Sequence, residues 1–499
     1  MLLKERIIKY TMEKKLLVIT AVCCCVLITS VMAQTNAALI AKWKSVLNEP
    51  PPPANNLAAR NEQSKQKAQA AIQLYRNRKY NEALAVLKLT EDPAARSYFI
   101  RDLGTSGASA QQLIHQLTIM KDRSVRRAII LCLGGFDSTA ITRAEQRSLT
   151  NYLLQQYRDE PDPGIHSAID WLLRYDQEGL HPRKLGWHQN DVLQKIDSEI
   201  ANKIRTTKNW FCTSQGQTLA VINGPVNYMM GTPDYEPGRD KTEVEALHHE
   251  QIPRSFAIAT KEVTVAQFQR FLDANPDVKN LAKTAGLKDP SRDGAWMQRL
   301  GLDENAPQLF VTWFEAAQYC NWLSEQDGIP ESQWCYPTLK EIKEGMTLPG
   351  SCLHRTGYRL PTEAEWQYVC RSGTTTMRSF GDAEELLSEY AWFSGNTFNQ
   401  RPFPVGQLKP NDFGLFDMYG NVWESGQDLI KSYRTEPKDS GWVDNDDEQL
   451  IVSKDFKRPR LGGSYTYSAD YLRSGYRNEG YIPDERRDNV GFRIAKTIE

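Results

Sequence analysis

The residues best suited to chemistry lie in the second half of the chain. Asp417 and Glu424 are two carboxylates seven residues apart, with Gly420 and Asn421 between them in turn-forming positions. Carboxylates and the exposed carbonyls of such a turn form a hard oxygen cage that suits calcium; a hydrogen-bonded turn without metal is the alternative. Sulfur chemistry is limited by where the cysteines fall. Cys23, Cys24 and Cys25 lie in an apolar N-terminal run, which leaves Cys132, Cys212, Cys320, Cys335, Cys352 and Cys370. No pair shows the C-x-x-C spacing of a structural zinc site. Cys335 and Cys352 flank 16 residues. A disulfide between them, expected here, would contribute about 3 kcal/mol by loop closure. His248-His249-Glu250 invites a metal reading, but adjacent strand residues point to opposite faces, so the block reads as surface. The acidic run Asp444–Glu448 lacks an EF-hand glycine and reads as a solvated loop. Phosphate-binding loops, nucleophile elbows, His-Glu-x-x-His and kinase signatures are all absent.

Holding such groups requires packed domains, and 499 residues suggest two to four of them. Twelve Trp, 21 Tyr and 16 Phe exclude disorder throughout. Lys and Arg (61) nearly cancel Asp and Glu (62), so charge gives no support to nucleic-acid binding. The one long apolar run is Leu16–Ala33, preceded by Lys14 and Lys15 and ending Val31-Met32-Ala33. Residues 1–33 read as a secretory signal peptide, which implies an exported protein: periplasmic, extracytoplasmic or secreted. An uncleaved anchor over residues 16–33 is the alternative, and would be the sole membrane attachment.

Residues 34–65 read as a linker that opens with a short helical stretch and is then stiffened by Pro50–Pro53. Residues 66–205 carry helical periodicity. Asp92, Asp122 and Asp162 each precede apolar residues at helical spacing, a weak repeat that resembles HEAT-like arrays. A plain helical bundle is the competing reading. His115, His166, His181 and His188 lie here without ligand spacing. Residues 206–499 change texture. Strand-like runs at Leu219–Ile222 and Ser255–Ala259, and helices at Val265–Leu272, Trp313–Glu325 and Thr362–Ser372, indicate an α+β domain rich in loops. The fold class is therefore multidomain: an all-α array, then α+β.

An ordered series of motifs runs through that domain. It includes Glu262-Val263-Thr264, Val311-Thr312-Trp313, Gly357-Tyr358-Arg359-Leu360-Pro361-Thr362-Glu363-Ala364-Glu365-Trp366, Asp417 to Glu424, Gly462-Gly463-Ser464 and Gly491-Phe492-Arg493. The series, from Phe211 to Lys496, resembles the formylglycine-generating enzyme family, also called sulfatase-modifying factors, with a C-type-lectin-related fold. The coupling to an export signal and a helical array resembles bacterial proteins. The resemblance implies calcium held by the side chains of Asp417 and Glu424 and the main-chain oxygens of Gly420 and Val422. It also implies a pocket lined by Ser464, Trp423, Tyr471 and Asn489.

Members that make formylglycine use two cysteines after the Gly-Gly-Ser to bind copper, which activates oxygen against a substrate cysteine. Tyr467 and Leu472 stand at those two positions, and no cysteine follows Cys370. Hydroxyl and alkyl groups do not replace thiolates around Cu(I), so copper is not expected. The resemblance thus implies a non-redox member. Its groove would take an extended peptide, glycan or protein ligand, and the helical array would offer a surface for a second partner. Altered chemistry at Ser464, Tyr467, Trp423 and Glu424 is an alternative, as is cysteine oxidation by a diverged site. Arg473, Arg477, Arg486 and Arg487 read as a solvated basic edge able to meet an anion.

Overall fold

The computed structural model describes residues 36–174, 186–201, 207–240, 245–278, 303–398, 400–430, 442–445, 451–478 and 480–499. The expected signal segment Leu16–Ala33, His181 and residues 446–448 of the acidic run lie outside these. Among the described residues, no helix is long and apolar enough to cross a membrane.

The first part is helical, and its helices start where capping chemistry allows. Asp92 Oδ1 accepts from Ala94 N at 3.1 Å, Asp122 Oδ1 from Val125 N at 3.1 Å and Asp162 Oδ1 from Ile165 N at 2.8 Å. The three repeated aspartates thereby open the helices Ala94–Asp102, Arg123–Leu133 and Pro163–Arg174. The short helical stretch expected before the prolines is residues 36–47, and the helix expected from about Gln66 starts earlier, as Leu57–Arg76, where the Asn56 side chain accepts from Ala59 N. Only the stretch around the four prolines stays extended, because proline breaks the ladder only locally.

In the second part a five-stranded antiparallel sheet has the order Trp210–Cys212, Thr218–Ile222, Ser255–Ala259, Ala495–Ile498, Tyr358–Arg359. The chain's last strand thus lies inside the sheet, next to one of its first. Three helices, Val265–Ala274, Trp313–Gln326 and Glu363–Arg371, begin with reciprocal capping boxes, Thr264/Gln267, Thr312/Glu315 and Thr362/Glu365. Glu365 does more than cap: its buried carboxylate also accepts from Arg359 at 2.6 Å and from Arg254 at 2.7 Å. A short strand, Trp423–Ser425, pairs antiparallel with Arg460–Leu461 and parallel with Val490–Gly491. Alternation along it sends Trp423 and Glu424 to opposite faces.

One apolar core runs from the helices into the second part, joining Leu113, Ile169 and Leu172 with Trp210, Leu415 and Phe416. Buried polar contacts pin the junction. Asp412 pairs with Arg96 and lies 3.5 Å from Arg127 Nε. Asp170 pairs with Lys261, and Trp210 Nε1 donates to the Glu160 carbonyl at 2.7 Å.

Several surface expectations are corrected by tertiary partners. Glu250 is buried within the strand His248–Ile252 and lies 3.3 Å from His248 Nε2. Asp444 pairs with Arg254 and accepts from Thr362 Oγ1, so this end of the acidic run is not solvated. Arg473 is sealed between Glu236 and Glu245, Arg477 pairs with Glu363, and Arg486 pairs with Glu315. At the expected Cys335–Cys352 pair both sulfurs are buried, and Cys335 Sγ lies 3.3 Å from the carbonyl oxygens of Cys352 and Gly357.

Candidate functional site

The strand Trp423–Ser425 divides the site into an aromatic cleft on one side and a buried carboxylate cluster on the other. On the cleft side, Trp423 meets Tyr467 edge-on with ring centroids 5.1 Å apart. Tyr467 meets Tyr471 at 5.1 Å, Tyr471 meets Tyr476 at 5.3 Å, and Tyr476 closes back on Trp423 at 5.9 Å. The wall faces a cavity of about 570 Å³ lined by Tyr467, Tyr471, Tyr476, Tyr481, Lys457, Arg460 and Arg487. Burial lowers the pKa of Arg460, which donates to Asn478 Oδ1 at 2.7 Å. Behind the wall, Ser464 Oγ and Asn489 Nδ2 both meet Thr466 Oγ1, at 3.0 and 3.2 Å. Trp423 Nε1 and Asn489 Oδ1 are buried without a hydrogen-bond partner. One spare donor and one spare acceptor thus lie behind a wall of rings packed edge-on and tilted.

The expected pocket residues therefore come together, with Ser464 fully buried in the supporting layer and Tyr471 exposed by 39%. Sequence reasoning missed Tyr476, Tyr481, Arg460 and Thr466. The spacing of tyrosines from Tyr465 to Tyr481 was the available signal, but only the fold turns that spacing into a wall. Ser425 hydrogen-bonds to Tyr481 and lies 3.2 Å from the Gly491 carbonyl.

Among the described residues, no cysteine lines this cleft. Tyr467 and Leu472 hold the positions implied for the copper ligands, and Leu472 is a fully buried apolar residue. All six described cysteines are buried. Burial pushes the Cys132, Cys212 and Cys370 thiols up to about 12, and Cys320 well above its ordinary value. A raised thiol pKa makes the thiolate, the form that ligates Cu(I), costlier to form at these positions.

On the other side of the strand, Glu424 is saturated. Arg493 grips both its oxygens, Nε reaching Oε2 at 2.6 Å, and Trp366 Nε1 donates to Oε2 at 2.7 Å. Asp417 is different: Oδ2 accepts from Gly406 N at 2.6 Å, and Oδ1 is buried with no partner. The loop between them is tightly wound. Asp417, Gly420 and Asn421 all have positive φ, and a Cβ on Gly420 would meet the Trp392 carbonyl at 2.0 Å. Asn421, fully buried, donates to Glu262 Oε2 at 2.9 Å. Burial, and then the neighbouring carboxylates, push Glu262 well above the ordinary carboxylate range and Asp417 up to about 6. Of the carboxylates expected to hold calcium, Asp417 keeps one oxygen without a partner, and Glu424 is held by Arg493 and Trp366. Among the described residues, no three His, Cys, Asp or Glu side chains converge as a metal-binding group.

Residues 208–498 match the family model described as the sulfatase-modifying factor enzyme 1-like domain. The formylglycine-generating enzyme of Mycobacterium tuberculosis is 25% identical over 278 residues, covering 50% of this chain and 90% of that protein. The chaperone protein LppX of Paenibacillus barcinonensis is 27% identical over 241 residues, covering 42% of this chain and 77% of that one. The serine/threonine-protein kinase pkn1 of Chlamydia pneumoniae is 26% identical over 260 residues, half of this chain but 34% of that protein. Among solved structures, PvdO from Pseudomonas aeruginosa is 24% identical and covers 58% of this chain and 98% of its own, with a TM-score of 0.42.

Proposed function

The chain belongs to the family of sulfatase-modifying factor enzyme 1-like domains, and from that premise we propose that it is a non-redox member that binds an extended peptide or glycan chain in the tyrosine-lined cleft. The observation that carries this reading is the wall Trp423–Tyr467–Tyr471–Tyr476 standing where copper-binding cysteines would be needed. The aromatic faces supply stacking area, and the unpartnered Trp423 Nε1 and Asn489 Oδ1 supply direction. At the rim Arg487 pairs with Glu485, which leaves Lys457 and Arg460 as the cations nearest a ligand. A relative that is named a chaperone protein fits a binding role for such a domain. The helical array, fixed to the domain at Asp412 and Asp170, adds a second surface for a protein partner. Calcium, when bound, supplies charge neutralisation for the carboxylates behind the cleft and holds the Asp417 loop. The apolar segment Leu16–Ala33 supports an exported location, which N-terminal sequencing of the mature protein tests.

Peptide and glycan arrays probed with the full chain test the binding reading. The expected result is a discrete set of retained chains, with Tyr471→Ala binding at least about tenfold more weakly while its melting temperature stays unchanged. Retention of the same chains by Tyr471→Ala and Tyr467→Ala alike would overturn it.

A further inference from the structure

A groove of about 700 Å³ runs between the helix over residues 36–47 and the helix Leu57–Arg76, and it shares no lining residue with the aromatic cleft. The first of these helices is seated on the core by Ile40, Trp43 and Leu47. The proline link that follows it is strapped to the second helix: Lys67 Nζ donates to the Glu49 carbonyl at 2.7 Å, and Gln63 Nε2 to the Pro50 carbonyl at 2.8 Å. The groove is thus a fixed feature of the helical region.

One wall is apolar. Trp43 and Val46 share a helix face and are half-buried, and Leu39, one turn before Trp43, is 42% exposed. Ala70 and Ile72 add buried apolar surface to the lining. The other wall is a polar ladder. Gln66, Gln69, Gln73 and Arg76 follow at spacings of three, four and three, which is one stripe of an α-helix. Gln66 donates to Glu62 Oε1 at 3.1 Å, while the side chains of Gln69 and Gln73 make no hydrogen bond among the described residues. From Gln66 to Arg76 the helix rises about 15 Å, which extended chain spans in about four or five residues.

The charge of the groove is uneven. Its carboxylate, Asp102, is gripped on both oxygens by Arg101, at 2.6 and 3.1 Å. Lys44, on the first helix, is taken by Glu82. Lys42 and Arg76 line the groove, are exposed, and have no carboxylate partner among the described residues.

We infer that this groove docks an extended peptide segment with acidic side chains, belonging to a partner protein. Its apolar side chains would cover Trp43 and Val46, its main chain would run along Gln69 and Gln73, and a carboxylate would meet Lys42 and Arg76. A glutamine amide offers a donor and an acceptor, which matches a peptide group. The two uncompensated cations supply the charge complementarity that selects an acidic chain. The inference rests on the reading of the helical region as a second surface for a protein partner and names that partner's chemistry.

The test incubates the full chain with pools of synthetic hexapeptides of equal apolar content, one rich in Asp and Glu and one rich in Lys and Arg, and measures retained peptide by mass spectrometry. Wild type is expected to retain the acidic pool at least about tenfold better than the basic pool, and less so as salt is raised. The double variant Lys42→Glu/Arg76→Glu is expected to lose that preference at an unchanged melting temperature, since both side chains are exposed. Tyr471→Ala is expected to keep it. Equal retention of the two pools by wild type would overturn the proposal. So would a preference that survives in the double variant and disappears in Tyr471→Ala, which would make the cleft the peptide site. Retention of neither pool would overturn it as well. Loss by the double variant of binding to phosphatidylglycerol vesicles would then make the groove a membrane surface, and loss of self-association would make it an interface between copies.

Discussion

His166 shows how burial fixes the state of a single residue. Its ring lies between Tyr157 and Trp210, with centroids 4.1 and 3.8 Å away, and its Nδ1 meets the Tyr157 carbonyl at 2.9 Å. Burial lowers its pKa to about 3, against a partial pull upward from Asp170. A folded value below the unfolded one means that the neutral ring's contribution is complete above about pH 6.5. It is lost as pH falls from there toward 3. Between pH 7 and pH 5 this one group should cost about 2 kcal/mol of folding stability. Urea unfolding of wild type and His166→Phe at both pH values checks it: the variant should lose less on acidification. Gly420 is held as tightly by sterics. Gly420→Ala should lower stability by more than about 1 kcal/mol, because positive φ and the Trp392 carbonyl both exclude a Cβ. Thermal melting reads this out.

At the scale of elements, local rules carried far. The capping pair Thr362/Glu365, the aspartates at 92, 122 and 162, and the strands around Leu219–Ile222 and Ser255–Ala259 depend on neighbours within four residues, so the chain declares them. What it does not declare is partnership over long separations. Arg473 and Arg477 read as a basic edge until Glu245 and Glu363, more than a hundred residues away, are seen to enclose them. Glu262 reads as the start of a motif, and only the fold shows its carboxylate buried where Asn421 donates to it. The pocket residues Trp423, Tyr467, Tyr471 and Asn489 were legible through family resemblance, whereas Tyr476 needed the fold. The junction between the parts was likewise hidden. Asp412 holds two arginines from two helices, so Asp412→Ala leaves both buried without their carboxylate. A loss of about 3–5 kcal/mol is expected. Limited proteolysis should show faster cutting at the junction than in wild type.

The whole molecule joins a helical region to a domain of the sulfatase-modifying factor family through one continuous core. The domain is built on capped helices, the strand Trp423–Ser425 and the buried Glu424–Arg493 pair. Among the described residues, tyrosines and no cysteine line the cleft. The proposed function therefore separates descent from activity, because membership of a family does not fix the chemistry of a site. The central claim is that this cleft binds without oxidising. The most direct measurement incubates the full chain with Cu(I) and a cysteine-containing sulfatase-motif peptide under air and follows the peptide by mass spectrometry. An unchanged peptide mass is the expected result. A mass corresponding to conversion of the cysteine to an aldehyde would contradict it, and would require one of the buried thiols to act.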